Sequence, residues 1–199
     1  MTNSNISSKP QITLASASPR RRELLDQIMV IYDVLPVDID ESHIAGETPD
    51  QFVSRLAIEK ANAGFNQKPH CPALGSDTIV VVGKEILGKP ENKSHGMEML
   101  SLISGRTHQV KTAVAIHSDT YQECVVSTSE VEFAELTELQ IEDYWHTGEP
   151  EGKAGAYAVQ GIAAQYIKRI NGSYSGIMGL PLYETAQLLA HSGIRILAR

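Results

Sequence analysis

The segment Ile12-Thr13-Leu14-Ala15-Ser16-Ala17-Ser18-Pro19-Arg20-Arg21-Arg22 passes from apolar residues through small hydroxyl residues into three arginines. Its apolar start predicts a short buried strand, and Ser18-Pro19 is typical of a helix start with serine as the N-cap. A helix N-terminus offers free N–H groups and a partial positive charge, which suit an anion. Arginines there oppose the helix dipole unless an anion offsets them, and their guanidinium groups match phosphate oxygens. The segment therefore predicts a strand–turn–helix unit that either binds phosphate or carries a solvated basic first turn.

Composition places the chain among ordinary globular proteins with one large domain or two small lobes that share a core, at 199 residues and 42% hydrophobic content. A formal net charge of −7 argues against a general affinity for nucleic acid. An anionic ligand must then be bound by a local basic cluster. The placement of arginine and lysine is therefore more informative than their number.

The cysteine content and the hydropathy pattern bear on the compartment. Cys71 and Cys124 are the only cysteines, and no Cys/His spacing of a zinc site is present. We therefore expect reduced thiols in the cytoplasm. Residues 1–11 are polar and are predicted to form a disordered tail without the apolar core of a signal peptide, and no apolar stretch is long enough to span a membrane.

The remainder of the chain predicts a mixed sheet rather than a purely parallel one. Capping boxes begin helices at Thr48 and Thr137, and the first of these helices is expected to end near Gly64. Two long β segments around residues 107–133 favour an antiparallel pair, and a last short strand is expected from Ile194. We therefore predict the α/β class with mixed α+β character, as one domain over residues 12–199.

A polar interruption, Ser76-Asp77-Thr78, divides an apolar strand run between residues 73 and 82. A carboxylate is costly in such a place unless it is paired or bound to a metal, and ligand crevices form where strands of α/β sheets meet loops. The alternative is an aspartate that caps a turn. Asp77 is accordingly a candidate for catalysis.

Other charged residues offer weaker signals of their own. Asp38, Asp40 and Glu41 share an acidic loop, and their oxygens are ligands that Mg²⁺ or Mn²⁺ prefers, although the loop could equally be a plain acidic surface. Lys60 lies near the end of its predicted helix and could be solvated. Lys89 precedes a proline, so an extended backbone would let it reach inward.

A series of sequence blocks resembles the Maf family of nucleotide pyrophosphatases. The blocks run in order from about residue 12 to residue 190, which is nearly the whole folded chain. They are Ser16-x-Ser18-Pro19-Arg20-Arg21-x-Glu23-Leu24-Leu25, Glu41, Leu56-Ala57-x-x-Lys60-Ala61, Ser76-Asp77-Thr78, Gly88-Lys89-Pro90, Ser104-Gly105-Arg106-Thr107-His108 with Val110 and Thr112, Lys153-Ala154-Gly155-Ala156-Tyr157 with Gln160-Gly161, and Asn171-Gly172-Ser173-Tyr174 with Gly179-Leu180-Pro181.

The resemblance implies a single domain in which an elongated, twisted mixed sheet is flanked by helices and a cleft separates two lobes. It also implies an enzyme that cleaves nucleoside triphosphates between the α and β phosphates with Mg²⁺ or Mn²⁺, and that forms a homodimer. The implied catalytic residues are Asp77, Lys60 and Lys89. The implied metal ligands are Asp77 and Glu41, and the implied substrate-binding residues are Ser16, Arg20, Arg21, Thr78 and Gln160.

The block from Lys153 to Gly161 resembles the branch of the family that acts on dTTP and UTP. Gln160 can both donate and accept, so it could read the O4/N3–H edge of uracil or thymine, or it could instead brace its loop. House-cleaning of non-canonical nucleotides is a further hypothesis. Two departures from the branch, Ser76 in place of a common alanine and the third arginine Arg22, leave the implied catalytic positions intact.

Three rival functions remain open at this point. The sister branch of the family acts on 7-methyl-GTP and lacks the glutamine pattern. Family members are also linked to arrest of septum formation, which could be a binding role. A nucleic-acid binder is the least supported rival, because the chain is acidic and its aromatic residues show no stacking pattern.

Overall fold

A computed structural model describes residues 10–197 of the chain. Most of the predicted disordered tail, residues 1–9, lies outside the described residues. Its last residue, Gln11, is described, and the backbone amide of Gln11 donates to the Ile31 carbonyl at 2.7 Å. None of the helices in the described part combines the length and the apolar character that crossing a bilayer requires.

Strands and helices are intermixed along the chain, as predicted for an α/β protein. The strands are β1 (Ile12–Leu14), β2 (Tyr32–Val34), β3 (Ala73–Val82), β4 (Glu85–Leu87), β5 (Thr107–His117), β6 (Gln122–Phe133) and β7 (Ile167–Asn171). The helices are α1 (Pro19–Gln27), α2 (Pro49–Gln67), α3 (Lys93–Ile103), α4 (Glu138–His146), α5 (Tyr174–Met178) and α6 (Leu182–His191), and the segments Ala154–Ala156 and Ile162–Tyr166 form 3₁₀ turns.

Within residues 10–197, the seven strands form one mixed sheet in the order β2-β1-β3-β5-β6-β7, and β4 pairs with β3 beside this path. β1 is parallel to β2 and β3, whereas the β3–β4, β3–β5, β5–β6 and β6–β7 pairs are antiparallel. The predicted mixed sheet and the predicted antiparallel pair of long strands are both confirmed.

A cleft opens along one edge of β3, because two short strands share that edge without covering it. β1 pairs with residues 73–74 of β3, and β4 pairs with residues 80–82. The stretch between them is unpaired on this edge, while β5 pairs with residues 73–81 along the other edge. One lobe lies on the β1 side of the gap and the other on the β4 side, which confirms the predicted cleft between two lobes.

Successive side chains of β3 point to opposite faces of the sheet, and each face has its own core. Ile79 and Val81 pack under α2. On the other face, Leu74 packs with β1 and α6, and Val80 packs with α3 and α4. Asp77 shares the α2 face, whereas Ser76 and Thr78 share the other, so polar side chains of both faces meet at the open edge.

Both predicted capping boxes are confirmed, but α2 ends three residues later than expected. Thr48 Oγ1 accepts from the Gln51 amide at 3.3 Å, and Gln51 Oε1 accepts from the Thr48 amide at 2.9 Å. Gly64 lies inside α2, where a Cβ would lie 2.9 Å from Ala15 Cβ. The glycine therefore serves the close approach of α2 to the sheet and does not end the helix.

The strand predicted from Ile194 is wrong. Gly193 adopts a left-handed conformation with φ of 82°, and the Ile194 amide closes α6 by donating to the Leu189 carbonyl at 2.8 Å. This turn directs Ile194 and Ile196 onto the core around β1 and α6, so they pack there without joining the sheet.

Candidate active site

The cleft beside β3 has a volume of about 510 Å³, and all nine residues to which the family resemblance assigns a role line it. These residues are Ser16, Arg20, Arg21, Glu41, Lys60, Asp77, Thr78, Lys89 and Gln160. Asp38 and Asp40 do not line the cleft, so of the three acidic residues that the sequence left open only Glu41 belongs to it. The side chains come from α1, α2, β3, three loops and the segment after α4.

The turn between β1 and α1 is organised by Ser16 rather than by a capping side chain. Ser16 Oγ accepts from the Ser18 amide at 3.2 Å and from Arg21 Nη1 at 3.0 Å. Ser18 occupies the N-cap position as predicted, but its hydroxyl makes no capping hydrogen bond. The first turn of α1 therefore lies beside the cleft without a side chain that satisfies its amides.

Arg20 and Arg21 have different surroundings. Arg21 donates from Nε to the Gly179 carbonyl at 2.9 Å, from Nη1 to Ser16 and from Nη2 to Thr78 Oγ1 at 3.5 Å. Arg20 donates only from Nε, to the Met178 carbonyl at 3.3 Å, and its two terminal nitrogens have no partner among residues 10–197. Arg21 thus fixes the walls of the cleft, while Arg20 has two donors for a ligand. Burial lowers the pKa of both guanidinium groups, as expected for cations whose solvent has been removed.

A buried lysine joins the two candidate metal ligands. Lys60 Nζ lies 2.7 Å from Asp77 Oδ1 and 2.6 Å from Glu41 Oε1, and the lysine is only 7% exposed. Lys89 Nζ lies 3.6 Å from Glu41 Oε2. Burial raises the pKa of Glu41, but the hydrogen bonds and charges of the two lysines outweigh burial and lower it. Each carboxylate is therefore compensated by a cation in this state of the cleft.

Gly75 makes the Lys60–Asp77 contact possible. A Cβ at this position would lie 2.3 Å from the Ala57 carbonyl oxygen and 2.4 Å from the Ala61 amide nitrogen. Only glycine allows α2 to approach β3 so closely, and this approach places Lys60 on Asp77 two residues further along the strand. Gly75 carries no chemically reactive side chain, so no sequence signal singled it out.

The carboxylates fit a metal that binds together with its substrate. The described residues contain no group of three or more histidine, cysteine, aspartate or glutamate side chains that could hold a metal by themselves. Magnesium in phosphate-transferring sites usually keeps several waters and takes one or two carboxylates plus phosphate oxygens. Asp77 and Glu41 match that donor set, with Lys60 as their partner before a ligand arrives.

The segment after α4 contributes the remaining wall. Gly155, with φ of 66°, packs where a Cβ would lie 2.8 Å from Val80 Cγ2, which brings this segment against β3. Gln160 is exposed at the cleft, and its side chain makes no hydrogen bond to the described residues. The amide is therefore available to a ligand, and it does not brace its own loop.

Lys153 and Tyr157 were not selected as site residues from the sequence, yet both line the cleft. Lys153 lines the cleft, and burial and then the charge of Arg20 lower its pKa, so two cations share one region. Tyr157 also lines the cleft and pairs at 2.8 Å with Nε2 of His108, a buried histidine of β5. Both belong to family blocks, but nothing in the local pattern showed that they face the same space as Arg20.

The fold and the cleft define an α/β enzyme class in which a basic pocket with two carboxylates opens at the edge of a mixed sheet. The comparison with protein families gives the particular family: residues 11–192 match the family described as Maf-like protein, and the chain belongs to this family. The resemblance drawn from the sequence blocks is thereby confirmed.

Similar proteins cover nearly the whole chain. A dTTP/UTP pyrophosphatase of Pseudoalteromonas atlantica is 49% identical over 187 residues, which cover 92% of this chain and 97% of that protein. A dTTP/UTP pyrophosphatase of Alkalilimnicola ehrlichii is 50% identical over 187 residues, with coverage of 91% and 92%. Among solved structures, the Ham1 protein of Staphylococcus aureus aligns with a TM-score of 0.48 and 16% identity over 78% of this chain and 90% of that chain.

Proposed function

We propose that this chain hydrolyses dTTP and UTP to the nucleoside monophosphate and pyrophosphate. The observation that carries the proposal is the buried Lys60 between Glu41 and Asp77, in the same cleft as two arginines. The names of the relatives at about half identity support the choice of substrate.

The polyphosphate would be bound by cationic side chains whose charged groups are not already paired with carboxylates of the described residues. Arg20 has two terminal nitrogens without a partner in the described part of the chain, and Lys153 lies close enough to Arg20 for their charges to repel. Bringing two cations together is favourable when an anion lies between them. Arg21 and Ser16 hold the turn in place, so in this proposal they shape the phosphate site and contact the substrate less directly than Arg20.

Asp77 would act as the general base. Its Oδ1 accepts from Lys60, and its Oδ2 has no partner among the described residues, so one oxygen is oriented and the other can take a proton from water. The water oxygen would form a bond to the α-phosphorus while the bond from that phosphorus to the bridging oxygen breaks, and pyrophosphate leaves. Lys60 and Lys89 would neutralise negative charge on the phosphate oxygens as it develops.

Mg²⁺ or Mn²⁺ completes the proposal, and Asp77 and Glu41 are the residues that would hold it. When bound, such an ion supplies Lewis acidity at a phosphate oxygen and aligns the polyphosphate. Lys60 already holds both carboxylates near each other at contact distances of 2.6 and 2.7 Å. This proximity supports Asp77 and Glu41 as a shared pair of ligands.

Gln160 is the proposed reader of the base. Its unbraced amide can donate to O4 and accept from N3–H of uracil or thymine. This pattern does not distinguish the sugar, which agrees with substrates of both the ribose and the deoxyribose series.

Pyrophosphate release from dTTP, UTP, CTP, dATP, GTP and 7-methyl-GTP, with Mg²⁺ or Mn²⁺, tests the proposal. We expect turnover of dTTP and UTP, and a loss of roughly a hundredfold or more in Asp77→Asn, because the base is removed. Asp119→Asn is the matched control, since Asp119 is exposed and pairs with His70 outside the cleft. A preference for 7-methyl-GTP would move the chain to the sister branch, and no turnover of any nucleotide would contradict an enzymatic function.

The proposal extends to a homodimer in the cytoplasm. The family resemblance supports the dimer, and two cysteines that form no disulfide support a reducing compartment. Light scattering in solution tests the dimer, since the chain mass is 21.7 kDa and a monomer would give that value.

A further inference from the structure

Glu149 lies outside the cleft and contacts the backbone of the turn that carries Gln160. Its Oε1 accepts from Tyr144 Oη at 2.7 Å and from the Ala163 amide at 3.1 Å, and its Oε2 accepts from the Ile162 amide at 2.7 Å. Burial raises the pKa of Glu149, but these hydrogen bonds outweigh it and lower the pKa. The carboxylate is therefore charged at neutral pH and holds the chain just after Gln160.

Tyr144 connects Glu149 to the backbone of Ala158, which precedes Gln160 in the chain. Its hydroxyl donates to Glu149 and accepts from the Ala158 amide at 3.3 Å. Tyr144 is 1% exposed in α4, so packing fixes the position of the phenol. Backbone amides on both sides of Gln160 are thus attached, directly or through one hydroxyl, to a single carboxylate.

Gly161 is required by this arrangement. A Cβ there would lie 2.1 Å from Glu149 Oε2, a distance at which the carboxylate could not keep its place. The turn is consequently braced by Glu149 and Tyr144, while the side chain of Gln160 makes no hydrogen bond to the described residues. Bracing and recognition are carried by different side chains.

We propose that Glu149 and Tyr144 are positioning residues that set substrate selectivity by holding Gln160 at a fixed distance from the phosphate site. The inference rests on the proposed function, because it takes the base of a pyrimidine nucleotide as the partner of Gln160. A fixed distance between Gln160 and the phosphate site suits the hydrogen-bonding edge of a pyrimidine. The larger guanine ring places a similar edge further from the phosphates. A loosened turn would lose the pyrimidine contact and adapt to the purine.

Glu149→Gln is the first variant, because it replaces one carboxylate oxygen by an NH₂ group that opposes a donor. We expect KM for UTP to rise roughly tenfold with kcat changed less than twofold, and the UTP/GTP ratio of kcat/KM to fall by a similar factor. Tyr144→Phe, which keeps the packing of the ring, should act in the same direction. Asp143→Asn removes a charge from an exposed residue of α4 next to Tyr144 and is the matched control.

The double variant Glu149→Gln/Gln160→Ala separates positioning from a structural role. If Glu149 acts through Gln160, the double variant has the same UTP/GTP ratio as Gln160→Ala alone. Amide exchange at Ile162 and Ala163, followed by NMR without nucleotide, should be faster in Glu149→Gln.

Each failure has its own signature. Unchanged exchange at these two amides, or an equal loss of kcat/KM for every nucleotide, would overturn the inference while leaving the proposed function intact. A wild-type protein without turnover of any nucleotide would overturn the proposed function, and the inference would fall with it.

Discussion

His108 should make the protein less stable in mild acid, and the effect can be isolated with one substitution. The side chain is 2% exposed on β5, its Nε2 lies 2.8 Å from Tyr157 Oη, and its Nδ1 has no hydrogen-bond partner among the described residues. Burial lowers the pKa of His108 to about 4. His108→Gln removes the titrating group and keeps a polar side chain that can reach Tyr157.

The sign and the size follow from the difference in proton binding between the folded and unfolded chains. An unfolded histidine has a pKa of about 6.5, so between about pH 6.5 and pH 4 the unfolded chain holds a proton that the folded chain excludes. The free energy of unfolding therefore falls as the pH falls through this window. At about 1.4 kcal/mol per pH unit the His108 contribution amounts to about 2 kcal/mol at pH 5 and about 3 kcal/mol at pH 4.

Urea unfolding of the wild type and His108→Gln at pH 7 and pH 5 measures this contribution. Carboxylates titrate alike in both proteins, so their effect cancels when the two pH dependences are subtracted. We expect the wild type to lose about 2 kcal/mol more than the variant between these pH values. Parallel losses in the two proteins would show that His108 is not held neutral, and the argument from burial would be refuted.

Two further substitutions test how the carboxylates of the cleft are placed. Arg55 donates to the Ser42 carbonyl at 2.9 Å and pairs with Glu47. Because lysine lacks the guanidinium fork, Arg55→Lys should loosen the loop next to Glu41 and raise the metal concentration for half-maximal activity roughly threefold. An unchanged metal titration would contradict this role. Gly75→Ala should lower the free energy of unfolding by about 2 kcal/mol or more and reduce activity, because α2 must move away from β3. Gly88→Ala, where a Cβ meets no atom within 4 Å, is the stability control, and equal unfolding free energies of the two alanine variants would argue against the close approach.

Local signals predicted those parts of the fold that depend on local interactions. The capping boxes at Thr48 and Thr137 were recognisable because both partners of each hydrogen-bond pair lie within three residues. Gly64 misled the prediction of a helix end, since the reason for glycine there is the Cβ of Ala15, nearly fifty positions earlier in the chain. The strand expected from Ile194 failed for a similar reason, because packing against a distant core overrode its apolar pattern.

The sequence predicted which residues line the candidate site, but it did not predict the contacts among them. The family blocks selected nine residues that share one cleft, yet they did not show that Lys60 is buried between Glu41 and Asp77. That contact depends on a helix, a strand and a loop that meet only in the folded chain. The role of Glu149 could not be predicted for the same reason, since its local sequence shows only an acidic residue before a proline.

The charge of the cleft explains how an acidic protein can select a small anion. Its lining contains five cations and two carboxylates, a formal charge of +3, within a chain whose formal net charge is −7. The cations are Arg20, Arg21, Lys60, Lys89 and Lys153. A long polyanion such as nucleic acid would meet the net negative charge of the chain as a whole, whereas a single nucleotide needs only the basic pocket. The same contrast that weighs against nucleic acid at the level of composition therefore favours a compact polyphosphate as the anion that enters the pocket.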